Sequence, residues 1–193
     1  MIYRIHHDDQ FLTFEIPTRE VLNKLGRAYP FHINRSPIEY AEVWKEPLHI
    51  VFRPPESSTK DVVPDLAEVD GELFISSRAY DVLKNVFDGH GEFLPVTFEG
   101  GSGYLFNVLT IAEKLDGLDS KLTGYDKHGN LEHFGFREDV MGEIPVFRAE
   151  IDSFQGIFCS GMVKELIEEN RLTGVYFHVD LANPVGDSYG TAQ

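Results

Sequence analysis

The sequence predicts an α+β fold, a mixed or antiparallel sheet with a few packed helices. Three observations lead there. Short runs of alternating or continuous apolar residues, bounded by Gly, Pro, Asn or Asp, outnumber the runs with helical spacing. The two clearest helical stripes are Ala79, Val82, Leu83, Val86 and Phe87, and then Met162, Val163, Leu166 and Ile167. They fall irregularly among the strands and do not alternate with them. The surroundings of these helices are also alike. "GELFISSRAYDVLKN" and "GIFCSGMVKELIEEN" each carry an apolar run, a serine and a helical stretch, followed by a second apolar run, "LPVTF" or "GVYFHV".

Taken in order, "MIYRIHH" and "FLTFEI" read as strands that pair in a hairpin about the polar turn Asp8-Asp9-Gln10. Thr18 is placed to cap a helix that carries Val21, Leu22 and Leu25 and ends at Gly26. In "PLHIVFR", Leu48, Ile50 and Phe52 alternate with His49 and Val51, the pattern of one half-buried strand. "PPESST" (residues 54–59) is the best linker in the chain, and the charge balance changes at the same place. Residues 1–60 hold eight acidic and eight basic side chains, so the net charge of −15 falls wholly on residues 61–193. The expected organisation is an N-terminal β-rich lobe over 1–55, a second α+β lobe over 61–181 and a polar tail over 182–193.

In the second lobe, Phe74 and Ile75 end a strand and Ser76 or Ser77 is placed to cap the helix after it. Phe158, Cys159 and Ser160 repeat that arrangement. Glu165, Glu168 and Glu169 then take the wet side of the second helix, and Asn170 closes it before a strand at Val175 to Val179. Between the repeats, "YLFNVLT" is a strand and "EKLDGLDSKL" an acidic turn. "TGYDKHGNLEHFGF" is a hairpin turning on Lys127-His128-Gly129-Asn130, and "IPVFRAE" is one more strand.

Composition bounds what such a chain does. With 193 residues and 42% hydrophobic content it should bury roughly 70% of its unfolded surface, so neither metal nor disulfide is needed to fold it. The single cysteine, Cys159, excludes an internal disulfide and fits a reducing compartment. No basic-then-apolar leader opens the sequence and no apolar run approaches a membrane span, so a cytoplasmic location is expected. The negative field repels nucleic acid and anionic membranes and would steer a basic partner; the plainer alternative is that an acidic surface simply keeps a cytoplasmic protein soluble.

Each motif that could carry chemistry lacks a part. Ser160 and Cys159 lie at a strand-to-helix junction, where α/β-hydrolases hold their nucleophile. That turn needs G-x-S-x-G, and Phe158 and Met162 stand at the glycine positions, as Phe74 and Arg78 do around Ser76. Helix capping accounts for both serines. "HHDD" (6–9) gathers metal-ligand types, but adjacent histidines on a strand point to opposite faces. "EGGSGY" (99–104) joins two strands and leads into no helix, so it makes no phosphate cradle. Asp116, Asp119 and Ser120 lack the ligand spacing of a calcium loop and suit Asx-turn chemistry. No catalytic residue, metal site or cofactor is therefore expected.

The stretches "DGELFISSRAYDVLKN", "FLPVTF…GYLFNVL…LDGLDS" and "IFCSGMVKELIEENRLTGVYFHVD" resemble the pattern of a bacterial polymorphic-toxin immunity family, over about residues 70–180. The resemblance implies a cytoplasmic protein without catalysis that binds and neutralises a cognate toxin. The acidic bias agrees with it, because nuclease toxins that grip phosphates present basic surfaces. On this reading the repeat is scaffold. The expected partner-binding residues are Glu165, Glu168 and Glu169, with Asp116 and Asp119. Two other classes stay open: a small hydrolase or metal-dependent enzyme using His6–Asp9 or Asp116–Ser120, and a regulatory adaptor bound to some other partner.

Overall fold

The computed structural model describes residues 1–55, 61–129, 131–184 and 186. In chain order the elements are β1 (Ile2–His7), β2 (Thr13–Glu15), α1 (Thr18–Lys24), β3 (Leu48–His49), β4 (Val51–Arg53), β5 (Leu66–Val69) and β6 (Glu72–Ser76). There follow α2 (Ser77–Phe87), β7 (Gly91–Phe98), β8 (Gly101–Val108), β9 (Leu118–Tyr125), β10 (Leu131–Phe136) and α3 (Glu138–Met141). The last elements are β11 (Val146–Phe147), β12 (Ile157–Ser160), α4 (Gly161–Glu169) and β13 (Val175–His178). The class is α+β. No helix among the described residues is long and apolar enough to cross a membrane.

Two sheets carry the body, one of five strands in the order β3-β7-β8-β6-β5 and one of four in the order β11-β12-β1-β13. The sequence repeat has a topological counterpart in them. β6 and β7 both run antiparallel to β8, which lies between them, so α2 crosses over one strand to join a parallel pair. β12 and β13 both run antiparallel to β1, so α4 does the same across β1. Each strand–helix–strand unit thus has a gap that another part of the chain fills.

Strand alternation divides the interior into three cores. Leu73 and Ile75 of β6, Ile5 of β1, and Ile157 and Cys159 of β12 point to the side where α2 lays Ala79, Leu83 and Phe87 and α4 lays Val163 and Ile167. Phe74, Leu94, Val96 and Leu105 face the other way. They are covered by the aromatic-rich segment from α1 onwards, with Phe31, Tyr40 and Trp44. Phe158 and Ile2 emerge on the far side of the four-stranded sheet beneath Phe134 and Phe136 of β10 and Met141 of α3. Polar groups fasten the covering segment. Glu92 on β7 accepts from the backbone N–H groups of Tyr40 (2.8 Å) and Ala41 (3.0 Å), and Trp44 Nε1 donates to Pro95 O at 2.8 Å.

The two repeats are locked together at Asp65. Its carboxylate accepts from Ser76 Oγ, Arg78 Nη1, and both the backbone N–H and hydroxyl of Thr173. Arg78, in the first turn of α2, reaches on to the carbonyls of Asn170 and Arg171 at the end of α4. A cation there complements the negative end of that helix.

Several expectations are corrected by this arrangement. β1 and β2 do not pair. The Asx turn at Asp8 forms, with Gln10 N–H donating to Asp8 Oδ1 at 3.0 Å. Both edges of β1, however, are already taken by β12 and β13, and β2 pairs with β4. The expected lobe of residues 1–55 is accordingly woven into the rest, through β1 in one sheet and β3, parallel to β7, in the other. "PLHIVFR" breaks into β3 and β4 on different sheets, although Leu48 and Ile50 are buried as expected. α1 is capped at Pro17, not Thr18, with no side-chain cap. Met162 is exposed and Leu166 only partly buried. The acidic turn at 113–122 is a 3-10 turn at Glu113–Leu115, after which Asp119 and Ser120 belong to β9. Of the expected linker, residues 56–59 lie outside the described residues, as do Asn130 of the hairpin turn and most of the tail.

Ser76 and Ser160 occupy equivalent N-cap positions but differ in function. Ser76 Oγ accepts from Ala79 N–H at 3.1 Å, a capping bond. Ser160 has cap-like backbone angles but makes no cap bond, and its hydroxyl is buried without a partner. Ser76→Ala loses both this bond and the one to Asp65 and should cost about 1–3 kcal/mol, whereas Ser160→Ala should lose nothing measurable. Urea unfolding of the two variants checks this, and equal losses would show that the Ser160 hydroxyl is bonded in solution.

Candidate functional site

The five acidic residues expected to bind a partner are all accessible, but they fall in two separate places. Glu165, Glu168 and Glu169 lie on the exposed side of α4, whose opposite stripe is in the core shared by the sheets and helices. Glu168 is paired with Lys164 across one turn at 2.7 Å. Glu165 and Glu169 form no ion pair among the described residues. Asp116 is exposed, holds a left-handed backbone (φ 54°) after the 3-10 turn, and is paired with Arg137 at 2.7 Å. Asp119 is half-buried on β9 and accepts from Lys121 N–H at 2.8 Å. These aspartates belong to the layer over the far face of the four-stranded sheet, so the sheet separates them from α4.

The motifs weighed for catalysis are packed into the scaffold. His6 is buried and stacked on Tyr176, and His7 faces the other side of β1 with Nε2 3.3 Å from Phe11 O. Cys159 is wholly buried, which pushes its thiol pKa far up and leaves little thiolate. Among the described residues no three His, Cys, Asp or Glu side chains gather closely enough to hold a metal ion.

Sequence reasoning missed the densest charge cluster, which surrounds the tip of the β5–β6 hairpin. Asp70 (φ 52°) and Gly71 (φ 84°) make that turn with two left-handed residues in succession, the geometry Asp-Gly favours in a two-residue hairpin. Gly71 is fixed by contact as well as by angle, since a Cβ there would collide with Phe154 O. Glu68 and Glu72 flank the turn. By their register they point to opposite faces of the ribbon, Glu68 with Leu73 and Glu72 with Val69. Arg148, which follows β11 and is only 3% exposed, reaches past the tip. Its Nη2 donates to Gly71 O, and its Nη1 donates to Arg35 O at 3.1 Å. Arg4 of β1, also buried, donates to Leu181 O at 2.9 Å and lies 3.6 Å from Asp152, which in turn accepts from Gly156 N–H. The signal that could have found this cluster was modest: the Asp-Gly pair inside "EVDGEL" and a lone arginine within "PVFRA".

Burial decides the protonation of this cluster. Loss of water raises the pKa of Glu68 to about 7, although Gly71 N–H donates to it at 2.7 Å. Glu72, which accepts no such bond, is raised by burial to about 8 despite the charge of Arg148. The same burial lowers Arg148 to about 10. Both glutamates bind a proton more tightly folded than unfolded, where the ordinary value is 4.5. Their contribution to stability is therefore full below that value and is lost as pH rises through about 7 and 8. His7 and His90, lowered by burial, act in the opposite sense.

Two outcomes follow for this cluster. Removing the guanidinium in Arg148→Ala leaves the carbonyls of Gly71 and Arg35 without their donor and should cost about 1–3 kcal/mol, measured by denaturant unfolding at pH 7. Separately, Glu72→Gln should gain stability relative to the parent as pH rises from 6 to 8.5. A difference between the two proteins that stays flat with pH would mean Glu72 ionises freely in the folded chain.

Comparison with known proteins adds one match. A model of an immunity protein family, Imm11, matches residues 10–180. No curated protein matches the chain at a significant level.

Proposed function

The chain belongs to the Imm11 immunity protein family, and from that membership we propose that it acts without catalysis, binding a cognate toxin in the cytoplasm through an acidic surface. The single observation that carries the reading is the family match over most of the chain; the charge distribution gives it a physical form. The net charge of −15 comes from residues 61–193, and the exposed side of α4 holds Glu165 and Glu169, which form no ion pair among the described residues. Asp116 is compensated by Arg137, so it adds less to the field than α4 does. A toxin that works on nucleic acid carries basic groups where it grips phosphates. An acidic protein seated there occludes the working surface with no chemistry of its own. A basic nuclease is the partner this surface fits. Ser160 and Cys159, the residues most like a nucleophile, are both buried, which supports the non-catalytic reading.

Long-range attraction of this kind speeds association and is screened by salt, because the Debye length falls from ~10 Å at 0.1 M to ~3 Å at 1 M. The association rate with the cognate toxin should fall steeply with added salt. Changing Glu165, Glu168 and Glu169 together to Lys leaves Val163 and Ile167 in place, so the variant should stay folded, associate more slowly and protect cells less. A parent rate indifferent to salt would rule out electrostatic steering. A salt-sensitive rate that the triple change leaves alone would move the contact away from α4.

A further inference from the structure

A cavity of about 450 Å³ opens between the end of β2, the segment after α1 and the β5–β6 tip. Phe14, Ile16 and Val69 give it apolar walls, and Ile33, 72% exposed, stands at its mouth. Most of its charges are already matched. Glu15 is paired with Arg53 at 2.8 Å, and Asp70 with Arg35 at 3.3 Å. Glu72 is the exception: its carboxyl lines the cavity, accepts no hydrogen bond and joins no ion pair among the described residues. His32 Nδ1, on the cavity wall, is likewise buried without a hydrogen-bond partner among the described residues. Buried polar groups are almost always bonded, so an unbonded one on a cavity wall beside an unpaired carboxyl suits a partner that seats there.

We propose that this cavity is an anchor pocket for an arginine side chain of the protein partner, with Glu72 as its carboxylate. The inference rests on the reading that the partner is a basic protein. The chemistry is matched at both ends of the occupant. A three-carbon stem lies against Phe14, Ile16 and Val69, and a planar guanidinium has donors in a fork that suits a carboxylate and its neighbours. Partly buried arginines of this kind carry a large share of interface energy.

The pocket has a characteristic pH signature. The groups facing Glu72 are Arg148, Asp70, Arg35 and Glu68, in descending order of influence, with Tyr40 and His32 beside them. Burial holds a proton on Glu72 in the free protein to about pH 8. A guanidinium placed against it stabilises the carboxylate and releases that proton. Affinity therefore rises with pH through the neutral range, opposite to what an anionic occupant would show.

The test uses the full chain and N-acetyl-arginine methylamide as the probe, followed by amide NMR. Saturable shifts are expected at Ile33, Arg35 and Val69 to Glu72, with affinity at least threefold higher at pH 8.5 than at pH 6.5. They should vanish in Glu72→Gln, whose spectrum elsewhere reports that it is folded. No saturable shift in the parent, shifts retained in Glu72→Gln, or tighter binding of N-acetyl-aspartate methylamide than of the arginine probe would each overturn the pocket. No toxin enters this experiment. Failure of the chain to bind a toxin leaves the pocket standing, and failure of the pocket leaves toxin binding through α4 standing.

Discussion

A guanidinium taken out of water must find its acceptors and counter-charges inside the protein, and Arg148 meets that condition by drawing three parts of the molecule to one point. It takes the carbonyl of Gly71 from the edge hairpin of the five-stranded sheet and that of Arg35 from the aromatic covering segment. Its own backbone belongs to the four-stranded side, where its N–H donates to Thr110 O and its carbonyl accepts from Ala112 N–H. Arg4 and Asp152 form a second buried pair close by, between β1 and the loop before β12. The junction of the two sheets is thus held by directional bonds to backbone carbonyls as well as by apolar packing. Only glycine fits at 71, because the loop at Phe154 presses on it.

What the sequence made legible was local. Stripes three and four residues apart identified α2 and α4, and their serine junctions and following strands pointed to a repeat that the sheets bear out as matching crossovers. The hairpin of β9 and β10 was legible for the same reason, since its signals lie within one short stretch. Pairings between distant segments were not legible. Nothing in "MIYRIHH" states that its partners lie more than 150 residues away, so it was matched to the nearest apolar run. The cap at Ser160 failed on a subtler point, since backbone angles suited to capping do not ensure that the hydroxyl turns to the helix. The acidic side of α4 was readable from periodicity alone. The cluster around Arg148 was not, because its members come from four separate stretches and become neighbours only when the sheets meet.

The proposed surfaces divide the work of recognition by range. Charges on α4 act through solvent over a Debye length and need only face the partner on approach. The cavity beside Glu72 acts at contact, where a desolvated carboxyl discriminates between side chains that the distant field treats alike. α4 lies over the inner core and the cavity opens in the outer layer of the other sheet, so the two roles fall to different residues. Such a division lets related chains keep a common acidic body while the pocket diverges to suit each opponent.

The position of β1 has a consequence for how the protein comes into being. It leaves the ribosome well before its two neighbours, β12 and β13. At about 5–20 residues per second, the stretch from Ile5 to its partner Ile157 takes about 8–30 s to make, and for that time β1 has two unpaired edges. The four-stranded sheet therefore closes only after β12 and β13 have both been made. A ribosome stalled before β12 yields a species whose β1 has open edges, which invites aggregation or degradation. A cell that relies on such a protein must keep complete copies in reserve before its opponent arrives.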